Sequence, residues 1–128
     1  MRTRWLLAII ALITIGTVPG CKVEVEDILI RDAPIHEVRI NIAESFPPQV
    51  FIYIKGGLAD SCTTFNGTTV TRQGNTININ LTTARPKDAI CTQVYGFFEK
   101  TVGLGSDFIS GGSYTINVND FTETFVMQ

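Results

Sequence analysis

Apolar and polar positions alternate along much of this chain. Val38, Ile40 and Ile42 alternate with Glu37, Arg39 and Asn41, and Val50, Ile52 and Ile54 alternate with Phe51, Tyr53 and Lys55. Further on, Ile77, Ile79 and Leu81 alternate with Thr76, Asn78 and Asn80, and Tyr114, Ile116 and Val118 with Thr115 and Asn117. Successive side chains of a strand point to opposite faces, so each run predicts a half-buried strand with a defined core side. Val23 and Val25 against Glu24 and Glu26 form a fainter first run, and Val94–Leu104 a less regular later one. Phe121, Phe125 and Met127 supply an end strand. No convincing helix is predicted, and Ala84–Ala89 is expected to make one short turn at most.

Turn residues fall between these runs. Gly56-Gly57 is expected to end one strand, and Gly111-Gly112 precedes Tyr114. Gln73-Gly74-Asn75 stands between Val70 and Ile77, as a tight hairpin requires. Asn119-Asp120 joins Val118 to Phe121, and both residues tolerate the left-handed conformation of a type I′ turn. Pro47-Pro48 lies between two runs, where missing amide donors do least harm. About seven to nine short strands separated by turns predict an all-β fold, a β-sandwich first and a closed barrel as the alternative.

The first residues read differently. Arg2 and Arg4 precede an apolar run from Trp5 to Val18, then Pro19, Gly20 and Cys21. Charge, apolar stretch and small residues in that order describe a secretory signal. The run is about 14 residues, short of the roughly 20 that span a bilayer as a helix. Val18-Pro19-Gly20-Cys21 resembles the lipobox of bacterial lipoproteins. The resemblance implies a signal peptide over 1–20, cleavage before Cys21, and a diacylglycerol on the Cys21 sulfur. A single domain over 21–128 would then be lipid-anchored to the cell membrane, facing away from the cytoplasm. Lys22 to Arg31 contains no Gly, Ser or Pro, so it favours strand over flexible tether. The sandwich is therefore expected to begin within about ten residues of Cys21.

With Cys21 engaged by lipid in an exported protein, Cys62 and Cys91 are expected to form a structural disulfide. A redox-active pair usually shows a Cys-x-x-Cys spacing, which these two lack.

Two stretches resemble immunoglobulin-like domains. Gly112-Ser113-Tyr114-Thr115-Ile116-Asn117-Val118-Asn119 is similar to the last hairpin of bacterial members, in which a Gly-x-Tyr strand returns through a tight turn. Arg85-Pro86-Lys87-Asp88, before Cys91, resembles the corner preceding the second Cys of immunoglobulin variable domains. The resemblance implies an immunoglobulin-like sandwich and no antibody function.

Composition narrows the function classes. The 128 residues carry 10 Lys+Arg and 12 Asp+Glu, with 45% hydrophobic and 17% charged residues. That suits one folded domain and argues against disorder. Removing residues 1–20 takes Arg2 and Arg4 and no acid, leaving 8 basic and 12 acidic residues, a balance of -4. An acidic domain is a poor partner for nucleic acid, and at an anionic membrane the lipid, not charge, would hold it.

Candidate chemistry is thin. Three Cys and one His are too few for a zinc framework, and no cofactor or metal is expected. Glu24-Val25-Glu26-Asp27 is the densest acidic group and reads as a solvated strand edge. His36 has no nucleophile motif near it and reads as a surface histidine. Ser45-Phe46-Pro47-Pro48-Gln49 reads as a strand break. Asn66-Gly67-Thr68 and Asn80-Leu81-Thr82 match a glycosylation pattern, a reading that a bacterial lipobox makes weak. If Phe98 faces the core, Tyr95 and Phe97 face outward as a contact surface. The leading expectation is a non-catalytic, lipid-anchored cell-envelope module that binds an envelope protein or glycan or gives structural support. The alternative is a surface proteinase inhibitor presenting the Gly-rich linker Gly103–Ser113, with Asp107-Phe108-Ile109 exposed.

Overall fold

A computed structural model describes residue 16 and residues 27–128. The expected signal 1–20 (apart from Gly16), Cys21 and the faint run 23–26 lie outside the described residues. The alternating runs become strands β1 (Ile28–Asp32), β2 (Ile35–Ala43), β3 (Gln49–Leu58), β4 (Thr64–Gln73), β5 (Thr76–Pro86), β6 (Gly96–Gly105), β7 (Ser113–Val118) and β8 (Phe121–Val126). They form a five-stranded sheet of β1, β4, β5, β7 and β8 and a three-stranded sheet in the order β2-β3-β6. The protein is an all-β sandwich, not a closed barrel, with eight strands among the described residues.

The inward positions are those the alternation marks. Val50, Ile52 and Ile54 of β3 meet Ile77, Ile79 and Leu81 of β5 and Tyr114, Ile116 and Val118 of β7, all buried, with Ala33 and Met127. Val38 and Ile40 are only partly buried and Ile42 is exposed, because among the described residues β2 is an edge strand with β3 as its single ladder partner. Phe65, Phe98, Phe121 and Phe125 pack against the buried set from its margins.

Strand β5 organises the larger sheet. One of its edges pairs antiparallel with β4. Its other edge is shared: β7 runs parallel along Thr76–Ile79, and β1 runs antiparallel along Thr82–Pro86. The chain then changes sheets at Ala33-Pro34. Ala33 N–H donates to Leu81 O in the larger sheet, while Pro34 O accepts from Gly57 N–H in the smaller one.

Several local expectations change. Gly56-Gly57 does not end a strand; both lie inside β3. A Cβ at Gly56 would overlap the Phe98 ring, and one at Gly57 the Tyr95 hydroxyl, so these glycines make room for rings across the ladder. Ala84–Pro86 continue β5, and the turn is confined to Lys87 and Asp88. The Asn119-Asp120 loop is two residues long, but only Asn119 has positive φ (49°). Positive φ at the first loop position alone excludes type I′, which needs it at both. The Gly74-Asn75 loop likewise has positive φ only at Gly74.

The register defines two ends. One end gathers the start of β1, the β3–β4 loop and the β5–β6 loop, since Ile28 pairs with Pro86 and Leu58 with Gly96. The other gathers the β2–β3, β4–β5 and β6–β7 loops, with Met127 N–H donating to Gly112 O.

Candidate functional site

The expected disulfide is present. Cys62 and Cys91 are joined, with Cα atoms 5.6 Å apart. The bridge does not link facing strands of the two sheets. Cys62 lies in the β3–β4 loop and Cys91 in the β5–β6 loop, so it closes the open end of the β4–β5 hairpin. The corner at Arg85 serves this bridge directly: the Arg85 guanidinium donates to Cys91 Sγ and to Ala89 O.

Asp60 completes the corner. Its Oδ1 accepts from Thr63 Oγ1 at 2.8 Å and from Cys62 N–H at 3.0 Å. Arg85 Nε lies 3.1 Å from Asp60 Oδ2 as a charge pair, without the alignment of a hydrogen bond. Asp60, Cys62 and Cys91 are close enough to suggest a metal group, but the sulfurs are bonded to each other and offer no thiolates. The Thr63 hydroxyl, followed by the Cys62 amide and the Arg85 charge, holds the Asp60 carboxyl below its ordinary range. A depressed folded-state pKa stabilises the fold above the unfolded carboxylate value of about 3.9, and that stability is lost as pH falls through the folded value. Asp60→Asn should therefore be less stable than wild type near neutrality, with the gap closing below about pH 4. Denaturant melts across the acid range check this. A gap that stays constant as the protein acidifies contradicts it.

The outer face of β2-β3-β6 carries the densest array of functional groups. Tyr53 Oη donates to Glu99 Oε1 at 2.5 Å, and the Arg39 guanidinium lies 4.3 Å above the Tyr53 ring. Arg39 also pairs with Glu37 at 3.1 Å. The hydrogen bond to Glu99 raises the Tyr53 phenol above its ordinary value. Nearer the N-terminal end, His36 Nε2 is hydrogen-bonded to Tyr95 Oη. The Phe97 ring lies 5.4 Å from His36 and 5.3 Å from Tyr95, both edge-on, with Lys55 Nζ 4.5 Å from its centroid. As the spacing predicts, Phe98 turns inward while Tyr95 and Phe97 are exposed. His36 is exposed but not isolated, and Tyr53, Arg39, Lys55 and Glu99 were not singled out as site residues in the sequence. The signal for Tyr53 and Lys55 was the polar half of the β3 alternation, and for Arg39 that of β2; Glu99 lies on β6, where the alternation is less regular.

The opposite outer face differs. There Thr122 Oγ1 donates to Asn117 Oδ1, and Asn117 Nδ2 donates to Asn78 Oδ1, in one row across the sheet. The Thr and Asn groups of this row satisfy one another, and on the same face Asn80 Nδ2 donates to Asp32 Oδ1, with Ile30 of β1 exposed beyond it.

The segment Gly103–Ser113 is not a free linker. Gly103–Gly105 belong to β6, and Phe108 is half-buried against Tyr114 and Phe125. Arg72 covers the Phe108 ring at 4.7 Å and donates to Asp107 O, and Ile109 N–H donates to Tyr114 Oη. Asp107 and Ile109 remain exposed on this clamped loop, whereas Phe108 does not.

The model of the ORF11 beta-sandwich domain matches residues 52–127, from the middle of β3 through β8. The chain belongs to this family. It is similar to a protein of Herpetosiphon aurantiacus named "Uncharacterized 10.2 kDa protein in HgiCIIM 5'region", with 44% identity over 89 residues, covering 70% of this chain and 94% of the relative. Two further proteins of that organism, named for the HgiBIM and HgiEIM 5' regions, are each 47% identical over 79 residues, covering 62% of this chain and 95% of the relative. No solved structure matches the chain. As an ORF11 beta-sandwich domain, the protein keeps Cys62, Cys91 and most of the aromatic face inside the family match, and Cys21 outside it.

Proposed function

We propose that this protein is a non-catalytic module of the cell envelope, held by lipid on Cys21 and binding an envelope protein or glycan through the outer face of β2-β3-β6. The observation that carries the reading is the contrast between the two outer faces. Across the centre of one, Asn78, Asn117 and Thr122 satisfy one another in a row without aromatic or basic side chains. The other exposes Tyr95 and Phe97 beside Arg39, Lys55 and Glu99. Exposed aromatic and Arg side chains grouped on one face are what interfaces use. Export agrees with the Cys62–Cys91 bond, since disulfides persist in oxidising compartments.

The test is co-sedimentation of the full chain with purified cell-wall polymer, and separately with solubilised envelope proteins. Phe97→Ser should weaken binding by about tenfold, roughly 1.4 kcal/mol, while Thr122→Ser on the opposite face should leave it unchanged. Equal effects of the two variants, or no binding to either fraction, would remove the reading.

A second reading is favoured by one observation. The β6–β7 loop is clamped by Arg72 and Tyr114 while Ile109 projects from it, and proteinase inhibitors present such rigid loops. Inhibition of a secreted proteinase, abolished by Ile109→Asp, would favour it over the sheet face.

A further inference from the structure

The lipid-anchored reading concerns the N-terminus, and the structure has a distinct surface at that end. Ile28 and Ile30 project from the start of β1 and are each more than half exposed. Ile28 pairs with Pro86, the last residue of β5, and the chain continues into the loop that carries Ile90 and Val94. Ile90 is fully exposed and Val94 more than half exposed. Tyr95, at the rim of the same end, is also exposed.

These side chains do not hang from a loose segment. Lys87 N–H donates to Asp27 O, Ser61 N–H donates to Thr92 O, and Thr92 N–H donates to Ser61 Oγ. Cys91, the residue after Ile90, is fixed to Cys62. The bridged loops therefore hold Ile90 outward on a fixed backbone. Burying an aliphatic group held in water is favourable, so a surface that covers it gains from doing so.

We infer that this end of the sandwich rests on the lipid bilayer, with Ile28, Ile30, Ile90 and Val94 against the headgroup boundary and Tyr95 at its rim. The inference rests on the lipid anchor at Cys21. Ile28 is seven residues beyond Cys21 (28 minus 21), a span of at most about 25 Å even when fully extended. The anchor therefore returns this end, and not the other, to the membrane. Phe46 and Ile109 are exposed at the far end, but the ten residues of β3 separate the two ends by roughly 33 Å. The docking is apolar in character. The domain is acidic, and Lys87 at this end stands between Asp27 and Asp88, so charge attraction to an anionic surface contributes little. Tyr suits the rim because its ring and hydroxyl prefer the membrane–water boundary. The lipid holds the protein to the membrane; the apolar end fixes its orientation, leaving the β6–β7 loop pointing away.

The test uses the full chain, processed in a host envelope and reconstituted into phosphatidylethanolamine–phosphatidylglycerol vesicles. A tryptophan is introduced by Ile90→Trp or, at the far end, by Ile109→Trp. Both positions are exposed, so neither substitution disturbs the core. Trp5 leaves with the signal on processing, and intact mass reports both that cleavage and the acyl groups on Cys21. Lipids brominated near the headgroup should quench the Ile90→Trp emission at least twofold and leave Ile109→Trp unchanged, at low and high salt alike. Acylated protein in which both positions are quenched equally, or neither is, overturns the docking and leaves the anchor intact. Protein without acyl mass on Cys21 overturns the anchor and the docking with it.

Discussion

Asn119→Ala is expected to cost about 3–4 kcal/mol, and with it roughly 10–20 °C of melting temperature for a domain of this size. The reason lies in the shared edge of β5. Along that edge β7 pairs up to Ile79 and β1 pairs from Thr82, which leaves Asn80 and Leu81 between two different partners. The Asn119 side chain fills the gap. Its Oδ1 accepts from Leu81 N–H at 2.8 Å, and its Nδ2 donates to Leu81 O at 2.9 Å and to Ala33 O at 2.7 Å. A side-chain amide thus does for Leu81 what the missing strand would do, and also ties down the residue where the chain changes sheets. Leu81 is fully buried, so its N–H has no water to turn to when the amide is removed; an orphaned buried donor costs about 1–3 kcal/mol. Alanine adds the strain of positive φ, about 1 kcal/mol. Asn119→Gly removes that strain and should cost about 2 kcal/mol. Asn119→Asp keeps the size but turns a carboxylate oxygen toward Ala33 O and Leu81 O, and should be worse than Gly. Denaturant melts of the three variants check the order. A glycine variant as unstable as the alanine would show that backbone strain contributes nothing, and an aspartate variant near wild type would remove the amide's role.

This residue also shows where sequence reading stops. Asn119-Asp120 was legible as a turn because both residue types tolerate unusual φ. Its second task depends on β1 and β7 meeting on one edge of β5, a tertiary fact without a local signal. The strands with buried partners on both sides were the most legible: the named inward residues of β3, β5 and β7 are all buried. Edge strands were less so. Strand β4 reads Thr64-Phe65-Asn66-Gly67-Thr68-Thr69-Val70, with few apolar positions to alternate, and only its closing hairpin was foreseen. Gly56-Gly57 read as a strand end because glycine pairs usually mark turns, whereas here they clear space for Phe98 and Tyr95. At the candidate face, the outward direction of Tyr95 and Phe97 followed from period two. The pairing of Tyr53 with Glu99 and of Lys55 with Phe97 did not, because ladder register joins residues 46 and 42 positions apart (99 minus 53, 97 minus 55).

The Cys62→Ala, Cys91→Ala double variant is expected to lose about 3–4 kcal/mol, and to lose it unevenly. The bridge spans 29 residues, and closing a loop of that length in the unfolded chain accounts for the magnitude in the chain-entropy account. The unevenness follows from what the loop contains, which is the β4–β5 hairpin alone. Strand β5 is held on both edges, but among the described residues β4 has β5 as its only ladder partner. Most of β4 is exposed, and its packing at the bridged end rests on Phe65 against Phe98, with ring centroids 5.1 Å apart and Lys100 over the Phe65 ring. Without the bridge, the start of β4 is kept beside β5 by the ladder from Thr64–Ala84 onward, the Asp60–Arg85 pair and one ring contact, with no covalent tie. Strand β4 should then open before the rest of the sandwich unfolds. Native-state hydrogen exchange should show the β4 amides losing protection more than those of β3 or β7, which lie in the core and gain nothing local from the bridge. A uniform loss of protection would place the effect in the unfolded chain alone. A total loss below about 1 kcal/mol would mean that the Asp60, Thr63 and Arg85 contacts hold the corner closed without the covalent bond.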